Sequence, residues 1–285
     1  MRLDAHQHFW KYTPARDTWI TDDMAALKND FLPEHLAAEL AASDVQGCIA
    51  VQADQSEAET LFLLGLAAHH EMIQGVVGWV DLCAGNVAER LKNFSKYPKL
   101  CGFRHILQAE PDDRFMLRPD FLRGIECLGQ EKFSYDILVY ARQLPAAIEL
   151  VSKFPGQQFV LDHIAKPEIR ERRYLPWAHH LRRLAENKNV YCKVSGLVTE
   201  ADWQKWTVRD FTPYLDLVFE VFGVDRVMFG SDWPVCLLAA SYRQVVELIA
   251  GYVRNLPVSD QEKVFGVNAA YCYGQRAKYG ITAGK

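Results

Sequence analysis

The chain has 285 residues, 49% of them apolar, and a formal net charge of −4. That is enough apolar chain for a sizeable core, and a near-neutral balance without a basic stripe argues against a nucleic-acid partner. No apolar run approaches the roughly 18–20 residues of a membrane-spanning helix. The first residues lack the basic-then-apolar pattern of a secretory leader, and seven cysteines without a Cys-x-x-Cys pair point to a reduced, cytoplasmic protein.

In chain order, residues 3–9 (LDAHQHF) form the first strand. Side chains alternate faces along a strand, so His6 and His8 point the same way. Two neighbouring imidazoles can grip a metal or donate to one oxygen. Taken alone, the pair reads as well as histidines on a solvated arm. Residues 10–30 are too long for a plain connector and carry Trp10, Trp19 and Ile20, so this loop folds over something. Strands follow at 47–53, 74–81, 100–107, 134–139, 158–164, 190–196 and 227–231. Helices fall at 34–43, 56–70 (with Ser56 and Glu59 as a capping box), 86–97, 119–130, 144–154, 175–187, 203–222 (interrupted near Pro213), 239–255 and 259–271. The strands are near-continuous apolar runs, as in a parallel sheet buried on both faces. Eight strand–helix units predict an α/β fold, a (β/α)8 TIM barrel, as a single domain over 1–285. No Gly-x-Gly-x-x-Gly follows any strand, which weighs against an open doubly wound sheet.

A barrel of this kind carries its site at the C-terminal strand ends. Those ends hold His6 and His8, Gln52 and Asp54, Trp79 and Asp81, Arg104 and His105, Asp162 and His163, Lys193 and Ser195, and Asp232. So many polar groups around one apolar sheet are costly unless paired or used.

His-x-His on the first strand, a His on the sixth and an Asp after the eighth resemble the amidohydrolase superfamily. The stretches LDAHQHFW, GFRHIL, DHIAKP and FGSDWP are similar to the lactonase branch of the amidohydrolase-2 family. That branch includes lactonases for L-fucono- and L-rhamnonolactone and for a pyrone-dicarboxylate lactone. The chain departs from the binuclear members: strand four offers Arg104 and His105 instead of a bridging Lys or Glu, and strand five (SYDILV) has no His. A two-metal site is therefore not expected. The resemblance implies either no cofactor or one divalent metal, with zinc the first choice, held by His6, His8, His163 and Asp232.

Asp232 is the expected general base and His163 its catalytic neighbour; the alternative for Asp232 is a helix cap. Arg104 and His105 are expected to serve the substrate, although neighbouring strand residues face opposite ways, so only one of them enters the barrel. Lys193 either contacts the substrate or pairs with Asp162 or Asp136. Trp10 and Trp233 would offer flat apolar faces to a ring, as would Trp19; Trp79 reads equally well as core. Lys166-Pro167 and the charged segment 110–114 read as solvated surface. The expected activity is hydrolysis of a small-molecule lactone, a deoxy-aldonolactone such as L-fucono- or L-rhamnonolactone, to the open acid. A metal-dependent decarboxylase of the same superfamily is the alternative, and a catalytically dead binding barrel a third. No membrane partner is expected, and a homo-oligomer remains open.

Overall fold

The computed structural model describes residues 1–274. Residues 275–285, which the single-domain expectation included, lie outside the described residues. Eight parallel strands run in sequence order: β1 (Leu3–Gln7), β2 (Gly47–Val51), β3 (Ile73–Gly78), β4 (Leu100–His105), β5 (Ser134–Ile137), β6 (Phe159–Leu161), β7 (Val190–Val194) and β8 (Val227–Phe229). The ring closes just beyond the strands. Asp232 N donates to His6 O at 2.8 Å and His8 N to Trp233 O at 2.7 Å. Seven helices fill the connections and an eighth follows β8: α1 (Pro33–Ala42), α2 (Glu57–His69), α3 (Val87–Phe94), α4 (Pro119–Gln130), α5 (Leu144–Lys153), α6 (Trp177–Ala185), α7 (Val208–Phe222) and α8 (Tyr242–Val253). Two short helices follow, α9 (Val258–Glu262) and α10 (Asn268–Tyr273). The TIM-barrel expectation holds.

Two apolar masses hold this together. The larger lies between strands and helices and includes Leu63, Phe103, Ile125, Leu161 and Phe211. The smaller is the barrel floor: Leu3, Ala5, Ile49, Val51, Val77, Val160 and Met228, plugged from below by Ala269, Cys272 and Tyr273 of α10. Burying these side chains supplies most of the driving force, at roughly 25 cal/mol per Å² of apolar surface.

Several expected boundaries move, each for a local reason. β6 stops at Leu161 rather than 164, because His163, Ile164, Ala165 and Lys166 all take left-handed backbone angles. α7 starts at Val208 rather than 203, on a Thr207–Asp210 capping box, and runs through Pro213 without interruption. Ser56 Oγ does accept from Glu59 N at 3.1 Å, but the Glu59 carboxylate does not return to the cap. It accepts from Ala53 N (2.5 Å) and Asp54 N (3.0 Å), tying α2 to the end of β2. Burial pushes this carboxyl up to about 7 despite those two bonds. The long loop after β1 is folded as expected: Trp10, Ile20 and Leu27 form a small core of their own. Trp10 also pairs with Phe31 and donates from Nε1 to Asn29 O at 3.0 Å.

Candidate active site

The register of β1 is irregular between Asp4 and Gln7, so His6 turns inward directly after the inward-facing Ala5. Asp4 fixes this bend. One of its carboxylate oxygens accepts from His6 N (3.1 Å) and Ser231 N (2.9 Å), the other from Ser231 Oγ (2.6 Å). One buried carboxylate thus joins the strand carrying the histidines to the turn carrying Asp232. Burial raises its carboxyl to about 6. Asp232 itself has φ +59°, and the Trp233–Pro234 bond after it is cis. Gly230 is required here, since a Cβ would lie 2.7 Å from that of His6.

At the mouth of the barrel, His6 Nε2 and His8 Nε2 are 3.2 Å apart, and Asp232 Oδ1 is 3.3 Å from His8 and 3.8 Å from His6. His163 Nε2 approaches the same carboxylate at 4.0 Å. Each imidazole is aimed through its other nitrogen. His8 Nδ1 donates to Val51 O at 2.8 Å, which directs its Nε2 at His6 and Asp232. His163 Nδ1 meets Ser195 Oγ at 2.9 Å. His6 Nδ1 lies 3.2 Å from both Asp162 Oδ1 and Lys193 Nζ. Burial pushes His163 down to about 4 and His6 well below the usual imidazole value, so both rings are neutral at pH 7. Burial alone would raise Asp232, but His163, His8 and His6 outweigh it and hold the carboxyl below its ordinary range.

Beneath the imidazoles lies a charged layer. Lys193 Nζ is fully buried and bridges Asp136 Oδ2 (2.6 Å) and Asp162 Oδ1 (3.0 Å). Arg104 Nη1 pairs with Asp162 Oδ2 at 3.0 Å and stands 3.3 Å from His6 Nε2, while its Nη2 donates to Gln52 O. Tyr273 OH donates to Asp136 Oδ2 at 2.7 Å. Two cations therefore face two anions. Burial opposes the Lys193 charge, but Asp136 and Asp162 hold its ammonium above the usual lysine value. Burial would raise Asp162 as well; Lys193, His6 and Arg104 keep it well below the usual carboxylate range.

Above this frame opens a cavity of about 250 Å³. His8, His163, Asp232, Arg104 and Trp10 line it, as do Trp19 and Lys166. Ala53, Ile106, Ala109, Leu138 and Val235 supply an apolar wall. The structure thus brings together most of the residues singled out in the sequence. Four of the expected site residues do not line the cavity. His6 is fully buried against His8 and Asp232. Lys193 is in the charged layer. His105 faces outward, bonded to Glu110 at 2.7 Å and stacked on Phe115. Trp233 is packed edge-on against Phe9 and Phe31. Trp79 likewise belongs to the outer cluster, its Nε1 on His105 Nδ1 at 3.3 Å. Asp4 and Lys166 went unrecognised as site residues in the sequence. Asp4 is two residues before the first histidine of a His-x-His pair and could have been suspected as a second anchor. The Val51 carbonyl has no sequence signal at all.

The donor set fits a single cation. Ligand atoms about 2.0–2.2 Å from one tetrahedral ion stand roughly 3.3–3.6 Å apart, and the His6, His8 and Asp232 atoms are separated by 3.2, 3.3 and 3.8 Å. His6, Asp162 and His163 form a second, overlapping group.

Residues 3–275 match the family model described as Amidohydrolase. The chain is 42% identical over 284 residues to an L-fucono-1,5-lactonase of Burkholderia multivorans, covering 96% of each. It is 34% identical over 276 residues to an L-fucono-1,5-lactonase of Burkholderia ambifaria, covering 95% of each. A crystal structure of an amidohydrolase from B. multivorans with bound zinc superposes with a TM-score of 0.93 at 42% identity, covering 96% of this chain and 99% of that one.

Proposed function

The chain belongs to the amidohydrolase family, and on that premise we propose that it hydrolyses a sugar-derived lactone, a deoxy-aldonolactone such as L-fucono-1,5-lactone, to the open acid. The observation that carries this reading is one carboxylate, Asp232, facing three imidazole Nε2 atoms within 4.0 Å at the base of a cavity large enough for one sugar ring. The apolar wall of Ala53, Ile106, Ala109, Leu138 and Val235 suits the methyl group of a deoxysugar, and the indoles of Trp10 and Trp19 suit the apolar face of its ring.

Hydrolysis joins a water oxygen to the carbonyl carbon and breaks the ring C–O bond. Asp232, ionised at neutral pH, takes the proton of the attacking water. Negative charge then gathers on the carbonyl oxygen. The Arg104 guanidinium, fixed beside His6 and lining the cavity, binds and positions the lactone. His163, neutral and held by Ser195, orients the water or the carbonyl. As the ring oxygen leaves, it takes the proton from Asp232. His6, His8 and Asp232, with His163 as the fourth direction, would hold a divalent metal, and zinc suits two or three imidazoles and a carboxylate. When bound, such an ion supplies Lewis acidity toward the carbonyl. The substrate is a small molecule. The seven cysteines are free thiols, which suits a reducing, cytoplasmic setting.

A pH-indicator assay over aldonolactones, with and without prior chelation, tests the reading. Proton release from L-fucono- or L-rhamnonolactone is expected. Release that survives chelation makes the metal dispensable; release lost on chelation and restored by zinc makes the histidines its ligands. Inert lactones together with release of CO₂ from a carboxylated substrate would replace this reading with the decarboxylase.

A further inference from the structure

The Asp-His-Ile-Ala-Lys-Pro stretch delivers His163, but its lysine has no part in the chemistry above. After β6, the residues His163, Ile164, Ala165 and Lys166 have φ of +52°, +48°, +62° and +46°. Each such residue bearing a Cβ costs energy, so a run of four persists only where its surroundings impose it. They do. Trp177 Nε1 donates to Ile164 O at 2.7 Å, and Lys166 N closes the turn on His163 O at 2.8 Å. Gly196, itself at φ +65°, leaves the room: a Cβ there would sit 2.6 Å from His163 Nδ1. Ile164 and Ala165 are fully buried in the outer core. Both ends of the turn, His163 and Lys166, line the cavity.

The Lys166 ammonium is tethered rather than free. Nζ lies 3.3 Å from Glu200 Oε1 and 5.9 Å from the centre of the Tyr140 ring. Both charged side chains are mostly buried, at 17% and 21% exposure. An ammonium has three donors and Glu200 takes one. Lys166 lines the cavity beside the apolar Ala53, Ile106, Ala109, Leu138 and Val235, and Gln108, whose buried Oε1 has no partner, is a further polar group of this lining. Arg104 is engaged by Asp162 and Gln52. A polyhydroxylated ring in this space needs polar partners away from its carbonyl, and Lys166 is placed to give them.

We propose that Lys166, oriented by Glu200, is a substrate-binding residue that donates hydrogen bonds to the ring hydroxyls of the lactone and so selects a polyol lactone over a plain one. The proposal rests on the lactonase reading. Its test compares the wild-type chain with Lys166→Met and Lys166→Arg, using L-fucono-1,5-lactone as substrate and δ-valerolactone, which has no hydroxyls, as a competing ligand. In Lys166→Met, KM for L-fucono-1,5-lactone is expected to rise about 10- to 100-fold with a much smaller change in kcat. The Ki of δ-valerolactone is expected to rise at least ten times less. Lys166→Arg, which keeps a donor and a charge, is expected to recover part of the lost affinity. An equal rise in both constants, a fall confined to kcat, or no change at all would overturn the proposal. A wild-type chain inert toward every aldonolactone would overturn the lactonase reading and this inference with it; an active wild type with an indifferent methionine variant would overturn this inference alone. Should the methionine variant not fold, the arginine variant read against Glu200→Gln decides: loss of the carboxylate must raise the same KM.

Discussion

Val160 and Asp162 lie two residues apart where β6 ends, both fully buried and both inside the barrel. Met228 of β8 and Lys193 of β7 face each other across a strand pair, again both fully buried. Val160 and Met228 belong to an apolar floor that needs only to be filled. Asp162 and Lys193 belong to a layer of two cations and two anions that holds the imidazoles from beneath. The layers are equally dry, so burial alone does not distinguish structure from chemistry. The difference lies in what each layer needs: shape in the lower one, complete pairing in the upper one. The upper layer is tolerated because no charge in it stands alone.

Substitutions in the two layers should therefore fail in different ways. The largest effect is expected from Lys193→Met, which leaves Asp136 and Asp162 facing each other without a cation. Denaturant unfolding should show a loss of roughly 3–5 kcal/mol, and Lys193→Met combined with Asp136→Asn should recover a large part of it. If the double variant is no better than the single, pairing is not what holds the layer. In the floor, Met228→Ala should lower stability by about 3 kcal/mol through the cavity it leaves. Its activity per folded molecule should stay close to that of the wild type, and a selective loss of kcat would blur the distinction between the layers.

The pH dependence of stability probes the border between site and layer. His163 titrates at about 4 in the folded chain against an ordinary imidazole value of 6.5. The unfolded chain therefore binds more protons between these values. The contribution of a neutral His163 is complete above pH 6.5 and is lost as pH falls toward 4, by up to roughly 3 kcal/mol. Chemical denaturation of the chelated protein from pH 7 to 4 should show the wild type losing this much more than His163→Gln. Parallel curves would contradict it. The smallest effect is expected from Arg104→Ala. Lys193 still neutralises Asp162 in that variant, and steady-state kinetics should show KM rising about tenfold. An unchanged KM would remove Arg104 from the substrate.

The barrel was legible because each strand is an apolar run of the right length between helix-forming segments, and the rhythm survives errors at the ends. The site was legible where a side chain itself carries the chemistry: His6, His8, His163 and Asp232 converge as the residue types demanded. What stayed hidden depends on backbone geometry. A left-handed run cannot be read from DHIAKP, so the apolar pattern extends β6 past Leu161 and leaves Lys166 on the surface. Asp4 works through an irregular register that no alternation rule reveals. Lys193 shares a face with Ser195, yet sequence could not tell a cavity-lining depth from a sub-cavity one, and two carboxylates claim it.

The most direct measurement is the initial rate of L-fucono-1,5-lactone hydrolysis by the wild-type chain beside Asp232→Asn, at equal folded concentration and with the spontaneous rate subtracted. The wild type should turn the lactone over, and the variant should fall by about 10²–10⁴-fold in kcat while melting within a few degrees of it. A wild type no faster than the spontaneous reaction, or a variant as fast as the wild type, would contradict the assignment of Asp232 as the base of a lactonase.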